Sequence, residues 1–412
     1  MKKHGCFLIL SIMMILIGSW LSPGLAGSYY NSRGFGELRY SSNAQAMGLG
    51  GSLVAVPDGF HINLVNPASL PFISVTRLSG DFIHEAIWSQ TSTAEGFTKY
   101  TNLNGVSMAL PIVQNKLTLA LGLIPISQFD YDYSLSGSIN DYQYRKTIRG
   151  TGGLNKIVFS GGGSVTKFLR LGVSFHYNFG KLEQTWLVDY TSDLFWDTWD
   201  KLTRKMWGPG YSAGILVRPT SNLFVGAVYA GSSPLTIQDH VYNRTQKGSL
   251  IGVIDRYKMD PHEVTMPAMW GIGMSYLALK KFVITSDIIY QPWADFRRVN
   301  QSATDYYDDY RIGGGIEMLP SLNMLAKYYQ RMNYRLGYFY HELNFKNATG
   351  AKITEYGVTT GVGLPYYGSF GRVDVALRFG NRGTLDQGLI KETIFQLFIS
   401  VSGGEKWFNR AF

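Results

Sequence analysis

The sequence predicts an all-β fold, a transmembrane antiparallel β-barrel of about 14 strands with an N-terminal plug, or hatch, in its lumen. Three observations predict it. Charged residues make up only 16% of the 412-residue chain, below the roughly 25% of soluble domains. Mean hydropathy is nonetheless near zero, which no bundle of spanning helices would show. Finally, segment after segment alternates apolar with polar or small residues, the period-two signature of a strand with one face on hydrocarbon and one on water.

The chain opens with Lys2, Lys3 and His4, then an apolar run over 7–21, then Gly24 and Ala26 at the −3 and −1 positions of a cleavage site. This reads as a signal peptide over 1–26. An uncleaved anchor is the alternative, but a spanning helix needs about 20 apolar residues. Cys6, the single cysteine, precedes the apolar run, so it is no lipobox cysteine, and the mature chain has none. Disulfides and zinc–thiolate sites are thereby excluded. Loss of Lys2 and Lys3 leaves 36 basic against 29 acidic residues, a net +7. That modest balance, spread along the chain, suits anionic lipid headgroups and offers no basic cluster for nucleic acid.

Residues 27–73 are glycine-punctuated and weakly periodic, and form the expected hatch. Strands follow over 74–402. Leu169, Leu171, Val173, Phe175, Tyr177 and Phe179 oppose Arg170, Gly172, Ser174, His176, Asn178 and Gly180. Leu117, Leu119, Leu121 and Leu123 make a second stripe. Phe282, Ile284, Ile288 and Tyr290 oppose Asp287 and Gln291; Tyr310, Ile312, Ile316 and Met318 oppose Asp309, Arg311 and Glu317. Val373, Val375, Leu377 and Phe379 oppose Arg372, Asp374 and Arg378.

Short turns are expected near 111–115, 166–168, 219–222, 278–281, 319–332 and 365–371. Longer loops are expected near 91–100, 127–154, 183–209, 233–261, 297–304, 347–351 and 381–388. Together they divide the chain into fourteen strands, an even count that puts both ends on the periplasmic side. A tail over 403–412 completes it. Side chains cannot fill a barrel of this size, since eight strands already leave just room enough for them. Lumen charges such as Arg311, Arg335, Arg372, Asp374 and Arg378 are expected to anchor the hatch or to pair across the barrel.

Within the hatch lies SSNAQAMGLGGSLVAVPDGFHINLVNPASL, 41–70. Gly48, Gly50 and Gly51 permit positive φ and close backbone approach, and Asn66-Pro67 reads as a turn. On the glycine run and Asn66, Pro67 and Ala68, the sequence resembles the FadL-type outer-membrane transporters of long-chain fatty acids and other hydrophobic compounds. NYRLGYFY (333–340), GVGLPYY (361–367), FGNRGT (379–384), IKETIF (390–395) and EKWF (405–408) add to the likeness. The resemblance implies that these hatch residues act in gating, and that the protein is a monomer in the outer membrane of a Gram-negative-type bacterium. Its implied partners are outer-membrane lipids, a hydrophobic small molecule and, during biogenesis, the barrel-assembly machinery. Such transporters release ligand through a wall gap at a kinked strand; here 116–124 has no proline, and Pro125 stands at its outer end. FadL-like hatches also occur in PorV-like shuttle barrels of type IX secretion, so a secretion-related binding barrel is an alternative, as is a general porin.

The 183–209 loop carries Phe195, Trp199, Leu202 and Met206 at i, i+4, i+7 and i+11, one stripe of an α-helix. With Arg204 and Lys205 this helix is a candidate ligand-capture surface, the basic groups pairing with a carboxylate; packing on the rim is the plainer reading. No HExxH or P-loop occurs. The expectation is a non-enzyme with no metal and no cofactor.

Overall fold

The computed structural model describes residues 27–39, 43–296, 306–321, 323, 325–346, 350–366, 370–386 and 389–406. The expected signal peptide, the 297–304 loop and most of the C-terminal tail lie outside them.

Fourteen antiparallel strands close into a barrel. β1 is Thr76–Gln90, β2 Glu95–Val113, and β3 comes in three pieces, Leu117–Pro125, Ser127–Gln128 and Tyr131–Ile139. β4 is Tyr142–Ser164, β5 Leu169–Tyr190 and β6 Asp197–Thr220. β7 joins Leu223–Ala230 to Ser233–Lys247, and β8 joins Leu250–Lys258, His262–Met266 and Met269–Ala278. β9 is Phe282–Gln291, β10 Asp309–Met318, β11 Asn333–Lys346, β12 Lys352–Tyr366, β13 Gly371–Arg382 and β14 Lys391–Glu405. β14 closes the barrel on β1, from Thr76 opposite Glu405 to Gln90 opposite Lys391.

The predicted alternation sets the two faces. Leu171, Val173, Phe175, Ile284, Ile288 and Ile316 are exposed on the outside, while Ser174, Asn178, Asp287, Arg311 and Glu317 are buried within. An aromatic girdle marks the outer membrane interface. Its rings touch strand to strand: Tyr211–Tyr229 at 6.4 Å, Tyr229–Trp270 at 5.5 Å, Trp270–Tyr290 at 6.0 Å and Tyr290–Tyr310 at 4.8 Å. Trp88–Phe97 and Phe379–Phe395 continue it at 5.1 and 4.9 Å.

Above the girdle the structure departs from expectation. The segments 127–154, 183–209 and 233–261, read as loops, are largely strand, and β4, β5 and β6 run 23, 22 and 24 residues. A membrane-spanning strand needs only about 9–11, so one side of the barrel rises well beyond the bilayer. The reason lies in the faces. Register is unbroken from Leu169↔Val217 to Val188↔Thr198, yet polarity reverses past the girdle. Lys181, Lys201 and Lys205 now point outward, and Leu182, Leu202 and Met206 point inward. With water on the outside there is no call for an apolar outer face, and the stripe that signals a membrane strand disappears.

Candidate functional site

The hatch sits inside the lumen, tied to the wall by buried polar contacts. Leu53 and Val54 N–H both donate to Asp287 Oδ2, at 2.5 and 2.7 Å. Ala44 N–H donates to Ser400 Oγ at 2.7 Å, and Gly50 N–H to Thr359 Oγ1 at 3.1 Å. Gly50 has φ +69°, and a Cβ there would lie 2.0 Å from the Tyr338 carbonyl oxygen, so only glycine lets the hatch backbone lie against β11. Gly51 likewise has positive φ, whereas Gly48 does not and ends a short helix, Ala44–Gly48.

Asn66 is more than a turn residue. It caps the 3-10 helix Pro67–Phe72, its Oδ1 accepting from Ala68 N–H at 3.1 Å, while Nδ2 donates to the Val54 and Ile215 carbonyls at 2.6 and 3.3 Å. The wall makes room with glycine: a Cβ at Gly172 would sit 2.3 Å from Pro67 C, and one at Gly214 2.0 Å from Asn66 Oδ1.

Two ion-pair networks complete the anchoring. In the first, Arg335 reaches Glu317 at 2.9 Å and Asp374 at 2.6 Å, and Asp374 accepts from hatch residue His61 at 2.7 Å. His61 also contacts Asp58. Burial disfavours a charged imidazole, but the Asp374 and Asp58 carboxylates outweigh it and raise the His61 pKa to about 9. In the second, Arg382 holds Glu37 of the hatch at 2.6 Å, Glu355 at 2.7 Å and Glu392 at 3.5 Å. The lumen charges Arg335 and Asp374, expected to anchor the hatch or to pair across the barrel, do both, Asp374 holding His61 and Arg335 bridging Glu317 and Asp374. His61 and Glu37 gave no sequence signal, because a lone polar residue in an aperiodic segment has no pattern to belong to.

The wall itself is broken. β2 pairs with β3 only over 106–113 against 117–123. Beyond Pro125, which lacks an N–H, β3 dips inward, and Ser127 and Gln128 pair with Leu38 and Glu37 of the hatch. β3 stays tied to β4 there: Ile126 and Phe129 N–H donate to the Leu154 and Gly152 carbonyls at 2.7 and 2.9 Å. Among the described residues, 95–105 of β2 have no β3 partner. The result is a cleft of about 900 Å³ between the outer surface and the lumen, lined by Leu103, Asn104, Pro125, Gln128 and hatch residue Arg39. Arg39 Nη1 donates to Asn104 Oδ1 at 3.1 Å across the break. Behind it a cavity of about 100 Å³ is lined by Leu64, Met266, Met269 and Ile289 together with Lys156, His176 and Asn178. Both polar atoms of the buried Asn178 amide lack a protein partner. Above this cavity the lumen is filled by Phe35, Phe129, Tyr131, Leu182, Met206, Trp293 and Phe296.

The model of the BamG family matches residues 1–411. The chain belongs to the BamG family. No curated protein matches it by sequence. In fold, this BamG-family chain is similar to the Ralstonia pickettii toluene transporter TbuX, with 16% identity, TM-score 0.60, and 89% of this chain and 98% of that one covered. A Pseudomonas aeruginosa FadL homologue gives 13%, 0.60, 90% and 99%, and the Pseudomonas putida toluene transporter TodX 15%, 0.57, 87% and 96%. The architecture is therefore that of the FadL-type barrels.

The expected capture helix in the BamG-family chain does not form. Its residues lie on the turn before β6 and on β6 itself, where alternate side chains face opposite ways. Phe195 stacks on Tyr190 at 5.1 Å in that turn. Trp199 and Lys205 face outward. Leu202, Arg204 and Met206 face inward, Arg204 in a bidentate pair with Asp239 at 2.8 and 2.7 Å and Met206 buried in the apolar plug. The helical spacing was coincidental; pairing with both β5 and β7 satisfies the backbone instead.

Proposed function

We propose that this barrel gives passive passage across the outer membrane to hydrophobic compounds, long-chain fatty acids or aromatic hydrocarbons among them, by way of the wall break between β2 and β3. The break carries this reading. It opens the outer surface onto a cleft that shares hatch residue Arg39 with a cavity of apolar walls and, in Lys156, His176 and Asn178, one polar end. Solute transfer out of water would drive entry, at about 0.8 kcal/mol per methylene. The cavity is too small for an acyl chain, so passage requires the hatch or the apolar plug to shift. The sequence expectation put capture on a helix; the cleft replaces it. The likeness to toluene transporters supports the reading at the level of fold.

The test is uptake of labelled oleate and toluene into proteoliposomes holding the full chain, alongside Asn102→Trp, which narrows the cleft mouth. Uptake by the native protein that falls several-fold in the variant supports the proposal. No uptake of either solute overturns it.

A second reading has an observation of its own. A lumen this filled, with its hatch pinned by buried ion pairs, suits a binding barrel that serves protein traffic through its outer surface. Stable co-purification with a protein partner, without solute uptake, favours it.

A further inference from the structure

We propose that the outward face of the extension above the girdle binds the phosphate-bearing saccharide of an outer-leaflet glycolipid. The outward side chains fall into cross-strand rows. One runs Arg149, Thr185, Lys201, Tyr242, Arg256 over β4 to β8; the next runs Glu183, Thr203, His240, Lys258. A third sets Lys181 directly opposite Lys205.

The first two rows border a cleft of about 650 Å³ lined by Trp199, Lys201, His240, Tyr242, Arg256 and Lys258, whereas Lys181 and Lys205 line the wall-break cleft. Among the described residues no carboxylate lines it. Arg256 lies over the Tyr242 ring at 4.9 Å, and Trp199 meets the same ring at 5.2 Å, so guanidinium and aromatics are held together as a rigid platform. His240 Nε2 is buried there without a hydrogen-bond partner. Glu183 engages Lys181 and Lys201, at 2.5 and 3.1 Å. Among the described residues no carboxylate pairs with Lys205, Arg256 or Lys258. Like charges placed directly opposite one another on a sheet destabilise it. Glu183 already answers Lys181 and Lys201, so the cost left for a bound anion to relieve is that of Arg256 and Lys258 in the cleft.

Position selects the occupant. Girdle residue Tyr211 on β6 faces Phe175 on β5, so Lys181 and Lys205 lie six residues beyond the girdle and Lys201 ten. At about 3.3 Å per residue and a tilt of about 40°, the patch stands roughly 15–25 Å above the interface. That is the level of the sugars and phosphates carried by a glycolipid, not of its acyl chains. Phosphate is matched by Arg and Lys donors, and saccharide faces by Trp199 and Tyr242. The inference rests on outer-membrane placement and is independent of the uptake reading.

The test uses the full chain in nanodiscs and measures binding of rough lipopolysaccharide, and of the same glycolipid dephosphorylated with hydrofluoric acid, at 50 and 500 mM salt. Arg256→Glu with Lys258→Glu is the variant, and unchanged heat-modifiability on gels shows that it folds. Supporting results are binding that weakens about tenfold or more in the variant, weakens with salt, and is lost with dephosphorylation. Equal binding by native and variant protein overturns the proposal, as does equal binding of the dephosphorylated glycolipid. A surface that takes polyglutamate but not the glycolipid is an acidic-protein site and overturns it too.

Discussion

Arg382→Met should free the first part of the hatch while leaving the barrel closed. Arg382 is fully buried and donates to Glu37 at 2.6 Å, to Glu355 at 2.7 and 3.0 Å, and to Ser28 at 3.1 Å. Its loss leaves three carboxylates together. Glu355 keeps Arg378 at 2.5 Å, and Glu392 keeps the Ser28 hydroxyl and the Tyr29 N–H. The Glu37 carboxylate is bonded only to Arg382 among the described residues. Removing one partner of a buried pair costs about 3–5 kcal/mol, and the retained contacts argue for the low end. The wall is held by strand pairing on both sides of Arg382, so the cost falls on the hatch contact. About 3 kcal/mol corresponds to roughly a 100-fold shift in a local opening equilibrium. Hydrogen exchange read by mass spectrometry should show peptides over 28–38 and 126–130 exchanging about that much faster, because Glu37 and Leu38 pair with Gln128 and Ser127. A peptide from β11 should be unchanged. Exchange in the hatch within threefold of the native rate would refute the assignment of Arg382 as its anchor.

The His61 pKa, raised to about 9, makes the middle of the hatch pH-dependent. A raised pKa stabilises fully below the unfolded value of about 6.5 and loses that contribution as pH rises through 9. Exchange over 52–66, corrected for intrinsic rates, should therefore increase between pH 8 and 10, and His61→Gln should flatten that dependence. Gly172→Leu drives a side chain into Pro67; the barrel should still form, as read by heat-modifiability, but with the hatch displaced and ion conductance raised in planar bilayers. Equal, low conductance in both proteins would count against the contact. Leu171→Arg, four residues below the girdle level set by Tyr211 opposite Phe175, puts a charge on the lipid face near the midplane and should cost about 2–4 kcal/mol in a bilayer unfolding titration. Thr203→Arg, outward on β6 but above the girdle, should cost close to nothing; similar costs at both sites would mean the membrane boundary is misplaced.

Within the bilayer the fold was legible because the environment imposes a binary code. Leu171, Val173 and Phe175 must face lipid, and Ser174 and Asn178 the lumen, so period two appears in the sequence itself. Above the girdle the code fails. Water outside allows Lys201 and Lys205, the enclosed interior takes Leu202 and Met206, and the mixture imitates a helical stripe. The glycine run and Asn66-Pro67 were recognisable as motifs, but their work, lying against Gly172, Gly214 and Tyr338, depends on strands far away in sequence.

The sequence by itself determined that this chain alternates its way through a membrane as a barrel with an aperiodic leading segment, because hydrocarbon and water sort neighbouring side chains residue by residue. Only the tertiary structure decided where that segment lodges, which charges pin it, and where β3 leaves the wall. Those outcomes turn on contacts such as His61 with Asp374 and Glu37 with Arg382, over 300 residues apart, and no local pattern encodes a partner at that distance.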